Sequence, residues 1–348
     1  MAGLRLRKPV VGAAIAVVAA LAVVLALVLS RGSPEPRRGA STKPPAAPTT
    51  TPSPTPTPTP TAPTPAAVSP FTGLPGRAGP VLAVKIDNVR AARPHTGLGA
   101  ADIVYVEQVE GGLTRLLAVY SSQQPPRIGP VRSARESDVE LLRQFGRPAL
   151  AYSGVRTALK GFVQDAPLYA LPPERVPQAY VREPGRPAPH NLYLLPERAL
   201  AAAPAADKAR DIGFRFGAEP AGGRPVNAHS VRFPAAQYTF TWSAPEKRWL
   251  VTMDGTAART TDGKRVGAPT VVVQHVTVRP SAFKDSGGNV TPYTETVGSG
   301  TALVLRDSKV YEARWSRGGA AAGTSFTTPS GAPFAFAPGP VWVVLAAR

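Results

Sequence analysis

A charge-free apolar run from Pro9 to Ser30, followed by a stretch dominated by Pro, Thr, Ala and Ser up to Val68, decides which part of this chain can build a core. An α-helix rises ~1.5 Å per residue, so about 20 apolar residues cross a hydrocarbon layer ~30 Å thick. Val10 to Leu29 has that length. Arg5, Arg7 and Lys8 precede it without an acid, a bias that holds an N-terminus in the cytoplasm. A cleaved signal peptide has a shorter apolar region, about 7–15 residues, that ends in an A-x-A pattern. Here the run ends Leu27-Val28-Leu29-Ser30. Residues 1–30 therefore read as a basic tip and an uncleaved transmembrane anchor. Cleavage would equally leave the remainder outside the cytoplasm.

Residues 31–68 read as a disordered spacer. The Thr-Pro repeats between Thr51 and Pro60 cannot continue a helix or a sheet, because proline fixes φ and lacks an N–H. They favour polyproline II, which rises ~3.1 Å per residue and holds a domain away from the membrane. The threonine density also permits O-glycosylation.

The body after residue 68 is long enough for one large or two ordinary domains. The chain contains no cysteine, which rules out disulfides, thiolate metal sites, cysteine nucleophiles and lipid attachment at a leader cysteine. The formal charge is +18; seven Lys/Arg against Glu35 in residues 1–68 leave +12 on the body. Outside a membrane the anions on offer are lipid headgroups and wall polymers, not nucleic acid. A GC-rich coding bias, visible in abundant Ala, Arg, Pro and Gly, raises arginine without any such partner.

Residues 69–215 read as an α/β or α+β module. Pro80 to Asp87 is a short buried strand, and Ile103–Val109 with Leu113–Tyr120 suits a hairpin around Glu110-Gly111-Gly112. Helices are expected over Ser133–Phe145, from Ser153 or Gly154 to Phe162, and over Pro196–Arg210. After the Gly/Pro-rich stretch Gly217–Pro225, strand patterns dominate: Tyr238–Ser243, Arg248–Met253, Thr270–Val278, a hairpin of Thr301–Leu305 with Val310–Trp315, and Val341–Leu345. Residues 228–348 read as a β-rich module with Trp242, Trp249, Trp315 and Trp342 among its apolar residues.

Polar residues concentrate between Ile86 and Arg135, in Ile86-Asp87-Asn88, Ala92-Arg93-Pro94, Gly97-Leu98, Ala101-Asp102-Ile103-Val104-Tyr105, Val109-Glu110-Gly111-Gly112, Thr114-Arg115 and Ile128-Gly129-Pro130-Val131-Arg132-Ser133-Ala134-Arg135. Further on stand Ala188-Pro189-His190-Asn191-Leu192-Tyr193, Val297-Gly298-Ser299-Gly300, Trp315 and Pro338-Gly339-Pro340-Val341-Trp342. In combination these stretches resemble the YerB-like family of Gram-positive bacteria, across essentially all of 69–348. The resemblance implies two successive modules and an envelope address. Its lipid-anchored members carry a cysteine where this chain has an apolar helix. The family has no established reaction, so the resemblance assigns no catalytic residue and no cofactor.

Read for their own chemistry, Arg93, Arg115, Arg132 and Arg135 stand near Asp87, Asn88, Glu107 and Glu110, either as an ion-pair network that also takes in Asp102 or as an anion-binding cleft. Ser133 with Glu136 fits an S-x-x-E capping box. Glu107 and Glu110, three residues apart on a strand, point to opposite faces, so a paired-carboxylate site is disfavoured. His190 with Asn191 lies in a Pro-rich loop and offers a titrating group or a loop brace. His95, His190, His229 and His275 lack metal-ligand spacing. Ser153 lacks a G-x-S-x-G elbow, and no phosphate loop or dinucleotide fingerprint occurs. Three functions remain open: binding of an anionic wall polymer or headgroup, an envelope hydrolase or transferase using Asp87, Glu107 or Glu110 with His190, and a scaffold for another envelope protein.

Overall fold

Leu82–Ile86 (β1), Ile103–Gln108 (β2) and Thr114–Tyr120 (β3) are the strands expected from the apolar runs of the first half, and β3 pairs antiparallel with both others. Short parallel strands Ala149–Ala151 (β4) and Tyr169–Leu171 (β5) extend this sheet beyond β1. The computed structural model describes residues 67–285 and 287–348. The expected anchor at 1–30 and nearly all of the 31–68 spacer lie outside the described residues. Among the described residues no helix is long and apolar enough to cross a membrane.

The second half does not make a separate sheet of its own at the centre. Thr270–Val276 (β6), Gly298–Arg306 (β7), Lys309–Arg317 (β8), Ser325–Thr327 (β9) and Val341–Ala347 (β10) continue the first-half sheet in the order β9-β8-β7-β6-β10-β2-β3-β1-β4-β5. The joint is β10. It pairs parallel with β6, Thr270 opposite Val341, and parallel with β2, Ile103 opposite Val341 and Val106 opposite Val344. β10 is buried throughout except at its last residue. A strand covered on both faces must be apolar without alternation, and Val341-Trp342-Val343-Val344-Leu345 is.

Alternation within the sheet builds two cores. Val84, Val104, Val106, Trp342 and Val344 lie on one face with Phe240 and Trp249 of a smaller antiparallel sheet, formed mainly by Ala228–Phe233, Ala236–Ser243 and Arg248–Met253. Ala83, Ile103, Tyr105, Val343 and Leu345 lie on the other with Val139, Leu142, Phe326 and Phe336. The four-residue turn after β7 needs Asp307 and Ser308 at φ 49° and 59°, the conformation of a tight hairpin. Gly112 (φ 70°) brings the β2–β3 turn against Pro234; a Cβ there would stand 2.5 Å from that of Pro234.

The described residues are thus richer in β-structure than the sequence suggests, and the helices among them are few and short. Glu136–Leu142 (α1) starts three residues later than expected, because Arg135 stays extended (φ −129°, ψ 165°) and the Asp138 carboxylate accepts its N–H at 2.6 Å. Ser133 and Glu136 therefore form no capping box. Thr157–Gln164 (α2) also starts late; the Ser153 N–H is taken by the Arg132 carbonyl at 2.9 Å, which holds Ser153 outside the helix. Pro196–Ala201 (α3) ends well before Arg210, since Pro204 cannot supply the next helical N–H.

Candidate functional site

The register of β2, β3 and β1 sets a row of charges on one face. Glu107 stands opposite Arg115, and Leu117 opposite both Tyr105 and Lys85. Side chains two apart share a face, so Lys85, Asp87, Glu107 and Arg115 gather at one end of it, above α1.

Asp87, its side chain 3 % exposed, directly follows β1. His190 Nδ1 meets its Oδ2 at 2.8 Å, and Arg132 Nε lies 3.3 Å from the same oxygen without hydrogen-bond geometry. The Asp87 backbone is held too: its N–H donates to Pro130 (2.9 Å) and its carbonyl faces His95 Nε2 at 2.8 Å. Burial pulls His95 down to about 4, so near neutral pH it is an uncharged imidazole and donates from Nε2. Arg115 donates to the Ser133 carbonyl at 3.0 Å and has no carboxylate partner among the described residues. Burial, and then the charge of Arg135, lower it to about 10. Ser133 contributes only that carbonyl.

Arg135 and Glu110 form a bidentate pair, both bonds 2.7 Å, and Thr291 donates to Glu110 Oε1 at 2.6 Å. Burial alone would raise Glu110; the Arg135 bonds and charge outweigh it and bring the carboxyl below its usual range. Glu107 is engaged elsewhere. Lys85 Nζ lies 3.1 Å from Glu107 Oε2 and 2.6 Å from Asp138 Oδ1, at exposures of 0 % for Lys85 and Asp138 and 2 % for Glu107. Burial, then the Asp138 charge, push Glu107 up to about 8. Asp102 caps the chain after β3, accepting the N–H groups of Ser121 and Ser122. The charges therefore fall into separate small clusters, not one connected network.

Asn88 and Arg93 turn the other way, toward the second half. Asn88 Nδ2 donates to Thr114 Oγ1 and to the Tyr238 hydroxyl. Arg93 donates to Asn88 Oδ1 (3.1 Å), to the Asn88 carbonyl (2.6 Å) and to the Met253 carbonyl (3.3 Å), and pairs with Asp254 at 2.9 Å. Beside this clamp opens a cleft of about 590 Å³ lined by Asn88, Arg90, Arg93, Thr114, Arg232 and Asp254 among others. Arg90 and Arg232 are exposed. Asp87, Arg115, Arg132 and His190 do not line it. Asn191 is a loop brace: its Oδ1 accepts from Arg182 at 2.7 Å.

The sequence reading passed over Lys85, Asp138, Arg90, Arg232, Tyr238 and Asp254. Lys85 had a signal, a lysine inside the apolar run Val-Leu-Ala-Val-Lys-Ile. Arg90 and Arg232 had none in a chain rich in arginine. Among the described residues no group of three or more His, Asp or Glu side chains is arranged to hold a metal ion.

Residues 71–210 match the family model described as "Protein of unknown function (DUF3048) N-terminal domain", and residues 229–343 match its C-terminal domain. A 64-residue stretch is 50 % identical to "Putative lipoprotein YerB" of Bacillus subtilis, an alignment covering 18 % of this chain and 19 % of that protein. This chain belongs to the YerB-like family. The YerB fold is shared across nearly the whole relative: the crystal structure of YerB protein from Bacillus subtilis superposes with a TM-score of 0.69 at 22 % identity, over 80 % of this chain and 96 % of that one. In this YerB-like chain the strand that joins the two matched regions, β10, begins at the end of the C-terminal one and runs four residues past it.

Proposed function

We propose that this chain is a membrane-tethered, extracytoplasmic envelope protein that binds an anionic envelope component, a phosphate- or carboxylate-bearing wall polymer or headgroup, in the cleft beside Arg93. The tether is the apolar run 10–29 and the spacer is 31–68; the name of the Bacillus relative, a lipoprotein, supports a membrane address. The observation that carries the reading is the cleft itself, with three guanidinium groups, Arg90, Arg93 and Arg232, against the single carboxylate of Asp254. Its volume falls within the range of small-molecule sites, ~300–1,000 Å³. Arginine is suited to oxyanions because its planar fork donates two parallel bonds. The +12 charge of the body favours approach of a polyanion.

The test is binding to isolated cell wall and to anionic lipid vesicles across a salt series, for wild type and for Arg90→Ala/Arg232→Ala. Both residues are exposed, so the variant keeps its core. Loss of binding in the variant at moderate salt supports the cleft. Equal, salt-sensitive binding by both proteins assigns the affinity to diffuse charge and ends this reading.

The Asp87–His190 pair favours a second reading, an envelope hydrolase or transferase. A carboxylate on Nδ1 fixes the imidazole tautomer and leaves Nε2 to take a proton, and Nε2 of His190 has no partner among the described residues. Glu107 and Glu110 leave this reading, since Lys85 and Arg135 hold them. His190→Ala that keeps binding but loses turnover of a wall substrate separates the two functions. The scaffold reading draws no support from the exposed large apolar residues Val68, Leu74, Leu113, Phe162 and Val290, which belong to four separate segments, only Val290 lying in the second half.

A further inference from the structure

Lys85, Asp138 and Glu107 form a dry triad with no role in either reading above. Lys85 sits on β1, Asp138 on α1 and Glu107 on β2, and all three are buried within the core face built by Tyr105, Leu117, Val139 and Leu142. An ammonium with two carboxylates in such a place is an expensive arrangement, because desolvation of each ion is only partly offset by pairing. Here the pairing is incomplete: Glu107 Oε1 is buried without a hydrogen-bond partner. A nucleophilic nitrogen stands 2.6 Å from one carboxyl oxygen of Asp138, and a second carboxyl, Glu107, which burial pushes toward its protonated form, stands 3.1 Å from the same nitrogen. These are the parts of an amide-forming site: an amine, an acid and a proton carrier, with bulk water excluded.

We propose that Lys85 and Asp138 condense within the folded chain to an intramolecular amide, with Glu107 as the catalytic proton carrier. Transfer of one proton across the Nζ–Oδ1 hydrogen bond gives a free amine and a carboxylic acid. The Nζ lone pair attacks Cγ of Asp138 while Glu107 gives its proton to the carbonyl oxygen. Glu107 then takes a proton from the nitrogen and passes it to one of the two hydroxyls on Cγ. That C–O bond breaks, one water leaves, and the proton of the remaining hydroxyl returns to Glu107. No electron is gained or lost and no co-reactant is needed. The product replaces the buried ion pair by a neutral amide and leaves Glu107 protonated, so no charged group remains at the site. It ties β1 to α1 across 53 residues, a loop whose closure constrains the unfolded chain, in a protein without any cysteine.

The test is a tryptic digest of the full chain read by mass spectrometry. An amide at Lys85 blocks cleavage there and yields one branched species, 78–90 joined to 136–143, lighter than the sum of the two peptides by one water. Finding that species supports the proposal. Finding only linear 78–85, 86–90 and 136–143 overturns it. The variant Glu107→Gln slows appearance of the branched species by ~100-fold or more if Glu107 carries the protons; an unchanged rate overturns its role. The wild-type digest decides the amide even if that variant fails to fold.

Discussion

The guanidinium of Arg317, at the end of β8, donates to the main-chain carbonyl of Glu140 in α1 at 2.8 Å. The two residues come from opposite halves of the chain, 177 positions apart. Arg317 is 1 % exposed and also donates to Thr296 Oγ1 (2.8 Å) and to the Ala322 carbonyl (3.1 Å). The Glu140 carbonyl already accepts the Arg143 N–H at the end of α1, and a side chain from the other half supplies a second donor. Arg317→Ala removes a buried guanidinium and its bonds to Glu140, Thr296 and Ala322, at a cost of about 3 kcal/mol. The expected result is a lower urea midpoint with tryptophan fluorescence and far-ultraviolet dichroism still coincident. The four tryptophans all lie beyond residue 240, so separate transitions by the two probes would show that the halves unfold independently.

Trp342 carries the β10 joint. It is 2 % exposed and meets Phe240 edge-on at 6.2 Å. Trp342→Ala removes a large core side chain and is expected to cost ~3–5 kcal/mol. A conservative Trp342→Phe costs clearly less. Equal effects of the two would mean that the indole is not packed as described.

Tyr238 supports the cleft from beneath. Its hydroxyl accepts from Asn88 and lies 2.8 Å from Thr114 Oγ1. Tyr238→Phe leaves both partners short of a bond, a loss of about 1–3 kcal/mol. Because Asn88 in turn holds Arg93, the same change weakens anion binding in the cleft. Calorimetric titration with inorganic phosphate, alongside thermal melting, reads the two effects separately.

His95 gives an acid limb to stability. Its folded value of about 4 lies below the ordinary 6.5, so the unfolded chain takes up a proton first as pH falls. Stability from this group is complete above about 6.5 and is lost on the way down to about 4. A depression of this size corresponds to roughly 3 kcal/mol at most. His95→Gln is expected to flatten the fall in unfolding free energy between neutral pH and pH 4, relative to wild type. Parallel curves for the two proteins would assign the acid limb to other groups.

Hydrophobic pattern made the strands legible. Val341 to Leu345 read as a buried strand because nothing in it is polar, and Ile103–Val109 with Leu113–Tyr120 read as a hairpin because of the glycines between. Which strand lies beside which was not legible. Nothing local tells Val341–Leu345 that its neighbours are β2 and β6, since parallel partners need no turn signature. Helix starts failed for a related reason. Ser133 and Ser153 carry good capping chemistry, but tertiary bonds to Arg115 and Arg132 claim their backbone. In the site, Glu110 and Arg135 were recognised as charges, while their pairing with one another depends on the β2–β3 turn meeting the segment before α1.

The position of β10 between β2 and β6 has a consequence for the time course of assembly. Until Val341–Ala347 has been synthesised and has emerged, β2 presents an open edge and the sheet is two unconnected fragments. Pairings of this sequence separation form late, and an unpaired edge invites association with other chains. A body threaded across a membrane from its anchor-proximal end would wait in that state through more than two hundred residues. The interval between emergence of β2 and arrival of β10 is the period in which this protein needs a chaperone or a slow, guarded exit.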